Sequence, residues 1–291
     1  MRRLSPFLFL LVLSCAPNRA GTPEAALVGP RPGETAAPQG TAPAVEAGDC
    51  REKAIRELKA LAPDGSSIYG LIDNKKFFRD WITCDDVQLG LSTAVHESVH
   101  YITSKNDAFP LVNGGEIREP HEVSKFYPPS LIAAEFAPSH FVDIYLTPGK
   151  ASSATDFLYL LDELNAYSHD LKAAVNLESL RPPDEQVDHR DGLAALMAFV
   201  AVYVETAEKS EPATWSGLQE PPVANTVAAL WERAEQVMVS SCRVPNIGRE
   251  DKTYIRRFCA AGPQSAMQKI LGRPPVCPVD CLRTSRTASR Y

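Results

Sequence analysis

Asp85-Asp86-Val87-Gln88-Leu89-Gly90-Leu91-Ser92-Thr93-Ala94-Val95-His96-Glu97-Ser98-Val99-His100-Tyr101-Ile102 is the stretch around which the rest of the chain is organised. Asp85 or Asp86 can cap a helix here. Leu91, Val95, Val99 and Ile102 recur at three- and four-residue intervals, the apolar stripe that buries a helix in a core. His96 and His100 stand four residues apart, so on that helix they share a face and their imidazoles can bind one zinc ion. Glu97 is rotated off that line and can address the attacking water. Ser98, Val99, Tyr101 and Ile102 are uncharged, as a buried metal helix requires, because a further charge would be desolvated or compete with the ligands. The alternative is a pair of partly exposed histidines on a surface helix.

Two histidines leave a catalytic zinc short of its usual three protein ligands. Glu163 is the expected third. It lies in Leu160-Leu161-Asp162-Glu163-Leu164-Asn165-Ala166-Tyr167, where a carboxylate interrupts an apolar helix face and small Ala166 lets a neighbouring helix approach. At this point the chain resembles the gluzincins, zinc peptidases with HExxH on one helix and a Glu ligand on a later one. The resemblance covers His96, Glu97, His100 and the Glu163 segment, with 62 residues between His100 and Glu163, a longer insertion than in compact members. It implies a zincin-like domain that holds Zn2+, uses Glu97 as general base and cuts a peptide or protein substrate.

Glu119 is the rival ligand, with eighteen residues between it and His100, a spacing that resembles the aminopeptidase branch of gluzincins. Pro120 argues against it, because a residue before proline is pushed out of helical geometry. In zinc peptidases a Tyr or His often stabilises the oxyanion and an Asp often accepts the free N–H of a ligand His. By that likeness Tyr167, one turn beyond Glu163, is the oxyanion donor and Asp170 the histidine's acceptor. His121, His140 and His189 read as ordinary surface or capping histidines.

The chain starts Met1-Arg2-Arg3, continues with an apolar run from Leu4 to Leu13, and reaches Ser14-Cys15. A basic start, a short apolar segment and a small residue before the cut make a secretory signal, too short to span a bilayer. Ser14-Cys15 resembles a bacterial lipobox, although Leu13 is less usual at its position; an ordinary signal peptide is the alternative. The resemblance implies an exported protein held to the membrane by a lipid on Cys15, with Ala16 favouring the outer membrane. Residues 16 to 49 are rich in Ala, Pro, Gly, Glu and Thr and nearly devoid of large apolar side chains. They cannot offset their ordering entropy by burial and are expected to be a disordered tether.

Residues 50 to 291, about 240 residues, suffice for one sizeable domain or two small lobes. The whole chain carries 30 basic and 36 acidic residues, net charge -6, mixed along its length, so nothing marks a nucleic-acid surface. Apart from Cys15 there are six cysteines, read as up to three disulfides in an exported protein. Cys50 is expected to pair with Cys84, and Cys242, Cys259, Cys277 and Cys281 among themselves. The Cys277-Pro-Val-Asp-Cys281 spacing fits bridges better than a metal knuckle.

Along the domain, residues 50 to 62 read as an amphipathic helix stopped by Pro63-Asp64-Gly65. Residues 67 to 84 hold short apolar runs that fit strand or buried turn equally. The metal helix is expected over 86 to 104, then a loop or hairpin turning at Asn113-Gly114-Gly115, then a short helix from Ser130 to Phe136. His140-Phe141-Val142-Asp143-Ile144-Tyr145-Leu146, rich in β-branched and aromatic residues, is expected as a strand and a candidate edge for an extended peptide. Helices follow over 155 to 177, 189 to 209, 223 to 241 and 251 to 271. The expected class is α+β, mainly α-helical, with a small sheet and a helical C-terminal part. The leading functional expectation is a zinc metallopeptidase; the other is a non-catalytic envelope lipoprotein whose helical domain binds a partner, with its metal structural or absent.

Overall fold

The computed structural model describes residues 47–121, 123, 126–150 and 152–283. The expected signal segment, the lipobox Cys15 and the tether up to residue 46 lie outside the described residues. The first helix, α1 (Ala47–Leu61), begins three residues inside the stretch assigned to the tether.

The chain continues through α2 (Pro63–Leu71), α3 (Lys75–Asp80), α4 (Val87–Asn106), β1 (Ala108–Pro110), β2 (Glu116–Arg118), a 3-10 helix (Pro129–Glu135), α5 (His140–Tyr145) and α6 (Phe157–Asn176). A 3-10 turn (Glu178–Leu180) leads to α7 (His189–Ser210), α8 (Pro212–Leu218), α9 (Pro221–Ser241), α10 (Asp251–Phe258), α11 (Ala261–Leu271) and α12 (Val279–Leu282). The fold is mainly helical. Its sheet among the described residues is the antiparallel pair β1 and β2, with Phe109 opposite Ile117. Gly114 and Gly115 take positive φ of 92° and 87° in the connecting turn, and Asn113 joins them at 68°.

Pro63 does end α1, but it also opens α2 at its first turn, where a missing N–H costs nothing. The 67 to 84 stretch, read as strand or buried turn, is for the most part neither: α2 runs on to Leu71 and α3 covers Lys75–Asp80, with short non-helical links after each. Two further expectations are corrected. The 251 to 271 helix is two helices, broken at Cys259-Ala260 ahead of Gly262-Pro263, where proline lacks a backbone donor and restricts its predecessor. His140 to Leu146 is not a strand: Ser139 caps α5 by accepting the Val142 N–H at 3.2 Å, and Val142 and Tyr145 turn inward three residues apart. Packing of that face outweighs β-propensity, and the segment offers no edge for an extended peptide.

Two apolar clusters meet at α6. One gathers α5 through α11 around Phe199, Tyr203 and Trp231; the other joins α1 to α4 with Ala166 and Ala173 of α6 and Leu177 just after it. Small Ala166 and Ala173 let α4 lie close against α6. The two helices run antiparallel, since Gln88 Nε2 donates to the Ala174 carbonyl at 2.8 Å at one end and His100 meets Asp162 at the other.

Disulfides Cys50–Cys84, Cys242–Cys281 and Cys259–Cys277 staple the domain. Both Cys277 and Cys281 are bridged, each to a partner in the C-terminal helices. Three bridges mark a chain that matures outside the reducing cytosol. Among the described residues no helix is long and apolar enough to cross a membrane.

Candidate metal centre

Asp86 caps α4 by accepting the Leu89 N–H at 2.9 Å, and Asp156 caps α6 by accepting the Tyr159 N–H at 2.9 Å. These two caps fix where each helix starts, and apolar packing of Val95 and Val99 with Ala166 and Ala173 sets the faces that meet. His96 and His100 on α4 then face Glu163 on α6 across the seam.

The Nε2 atoms of His96 and His100 are 3.1 Å apart, and Glu163 Oε2 lies 3.7 Å from the first and 3.6 Å from the second. The three side chains form a buried group that could hold a metal ion. Glu163 is 3% exposed and His96 9%, yet Glu163 Oε2 has no hydrogen-bond partner. A buried carboxylate oxygen left without a donor costs about 1–3 kcal/mol or more unless something else satisfies it, and a cation between the three would do so.

Each histidine is held by a neighbour. His100 Nδ1 contacts Asp162 Oδ2 at 2.6 Å, which leaves Nε2 for the metal side. His96 packs edge-on against the Tyr167 ring, centroids 4.6 Å apart. That ring lies against α7, where a methyl on Gly192 would come within 2.1 Å of Tyr167 Cε1; only glycine lets the two helices close on it.

Burial pulls the His100 imidazole down, but the Asp162 and Glu163 carboxylates outweigh it and hold it well above the usual range. Burial, with His100 and His169 adding to it, pushes His96 well below. Glu97 is half-buried beside the pair. Its carboxyl is raised to about 7 by burial, with Glu163 and Asp162 adding to the rise and His100 opposing it. A carboxyl poised near neutrality is the form that general acid and base work uses.

The expected residues are thus brought together, with two changes of partner. Asp170 does not serve a ligand histidine; it accepts from His189 Nδ1 at 2.8 Å, so His189 is a buried, paired histidine and not a surface one. Asp162, not Asp170, is the acidic residue against His100, and its place immediately before Glu163 was the signal available in the sequence. Glu119 follows β2 and is not a member of the group; burial and then Asp162 raise its carboxyl. Tyr145 was hidden by the strand reading. Its hydroxyl lies 2.8 Å from that of Tyr167, and Tyr159, one turn before Glu163, has its phenol raised by burial and then by the Glu163 charge.

No family model, curated protein or solved structure matches this chain. A surface cavity of about 960 Å³ is lined by α9 and C-terminal residues such as Glu232, Arg243 and Arg273 and includes none of His96, His100 and Glu163.

Proposed function

We propose that the protein is an exported zinc-dependent peptidase of the gluzincin kind, with His96, His100 and Glu163 as ligands and Glu97 as general base. The observation that carries the reading is the set of three ligand-atom separations. Around a tetrahedral zinc, bonds of about 2.0–2.1 Å put ligand atoms about 3.3 Å apart. The separations of 3.1, 3.6 and 3.7 Å bracket that value before any ion has drawn the side chains in.

Zinc bound there would polarise the scissile carbonyl and acidify an attacking water. Glu97 takes that water's proton and hands it to the leaving amine, a role that its raised carboxyl suits. Tyr167 offers its hydroxyl to the oxygen that gains charge. Asp162 keeps His100 in the tautomer with Nε2 free.

The experiment is metal analysis of the purified protein with hydrolysis of a peptide library. Wild type is expected to carry about one zinc per chain. His96→Ala should lose it, and Glu97→Gln should keep the metal but lose hydrolysis. Wild type without zinc, or Glu97→Gln with undiminished turnover, sinks the reading. Anchoring through a lipid on Cys15, with the outer membrane as destination, belongs to the same proposal. Cys15→Ala should free the protein from the membrane fraction of its host.

A second reading has one observation in its favour. The deep burial of His96 and Glu163 is what a structural ion also produces, in a helical domain that binds a partner. A structural zinc closes its fourth position with a protein side chain, whereas the group among the described residues has three members. X-ray absorption of the zinc-loaded protein separates the two, with water expected as the fourth ligand.

A further inference from the structure

Tyr145 reaches the site from α5, an element with no metal ligand of its own. It is 6% exposed, and its hydroxyl oxygen lies 2.8 Å from the Tyr167 hydroxyl, with the two rings edge to face at 6.0 Å. Tyr167 in turn lies edge-on to His96 and one turn from Glu163. A phenol, with an ordinary pKa of about 10, keeps its proton at neutral pH.

Two hydroxyls carry two protons, and one hydrogen bond between them uses one. The remaining proton has no acceptor among the described hydrogen bonds. Tyr167 is half-buried and edge-on to His96, so this proton is open to an acceptor that enters the site. Donation from one hydroxyl also polarises the next, which makes the free proton a better donor than that of a lone phenol.

We propose that Tyr145 is a positioning residue: its hydroxyl orients that of Tyr167, and the pair acts as one donor toward the charged oxygen of a metal-bound substrate. The inference rests on the peptidase reading of the same site. Phe141, which lies near both rings, and Gly192, against which Tyr167 rests, hold the rings in place; the hydroxyl of Tyr145 is what aims the proton.

The test uses the full chain loaded with Co2+, whose visible spectrum reports the metal, titrated with acetohydroxamate as an oxygen-donor probe. Tyr145→Phe and Tyr167→Phe keep both rings and should leave the cobalt spectrum of the unliganded protein unchanged. Each should weaken acetohydroxamate about five- to tenfold, the loss of one hydrogen bond. The double variant should be no weaker than Tyr167→Phe alone, because the two hydroxyls act as a unit. Unchanged probe affinity in Tyr145→Phe, which a pure packing role predicts, overturns the proposal; so do losses that add in the double variant. Wild type that gives no cobalt spectrum overturns the metal reading itself and this inference with it, a result distinct from the other two.

Discussion

Asp162 Oδ2 lies 2.6 Å from His100 Nδ1, and Asp162 is the residue immediately before Glu163, so one turn of α6 supplies both a metal-facing carboxylate and the group that orients a histidine opposite it. Removing that orienting carboxylate frees the ring to rotate and to change tautomer. Asp162→Ala is expected to lower zinc affinity about 10- to 100-fold. Competition with a chromophoric chelator measures it, and wild-type affinity in the variant would show that Asp162 orients nothing.

Glu163 and Glu119 make opposite predictions. Glu163→Ala should weaken zinc binding severely, because one of three ligands is gone, while Glu119→Ala should bind zinc as wild type does. The reverse pattern would move the ligand set to the segment after β2.

His189 and Asp170 give stability a dependence on pH. Burial lowers His189, but the charge and hydrogen bond of Asp170, with Asp188 and Asp86, raise it above its ordinary value of 6.5. A histidine raised in the folded state contributes stability that is complete below about 6.5, its unfolded value, and is lost as pH rises through the folded value. The urea midpoint of wild type relative to Asp170→Asn should therefore shrink as pH climbs above 6.5. A difference that stays flat from pH 6 to 9 would mean that the pair is neutral throughout.

Cys50–Cys84 ties α1 to the loop just before Asp86, the cap of the metal helix. Cys50→Ser with Cys84→Ser should cost about 2–4 kcal/mol in denaturant unfolding, the ordinary effect of opening a loop of this length. A variant as stable as wild type would show that α1 docks without its staple.

Gly192→Ala places a methyl into the Tyr167 ring, so something in the α6 and α7 contact must shift. Overpacking of this kind costs about 1–3 kcal/mol, which thermal unfolding reads directly. An unshifted melting temperature would mean that the ring moves freely.

The sequence by itself determined helix α4 and the face that carries both histidines. The cap at Asp86, the stripe through Leu91, Val95, Val99 and Ile102, and the i, i+4 histidines are all local, and local periodicity is what a single chain displays. Glu163 was legible for the same reason, as a lone carboxylate on an apolar helix face beside small Ala166, and so was the Cys50–Cys84 pairing. Tertiary structure alone decided the rest. Asp170 and Asp162 are both acidic residues within a few turns of one helix; only the antiparallel docking of α4 on α6 hands His100 to one and leaves the other to His189. His140 to Leu146 carries strand-forming residues, yet its fate turned on a Ser139 cap and on the core that Val142 and Tyr145 enter, neither of which propensity contains. Tyr145 could therefore not be placed beside Tyr167 from sequence, because 22 residues and a change of element separate two hydroxyls that packing brings to 2.8 Å.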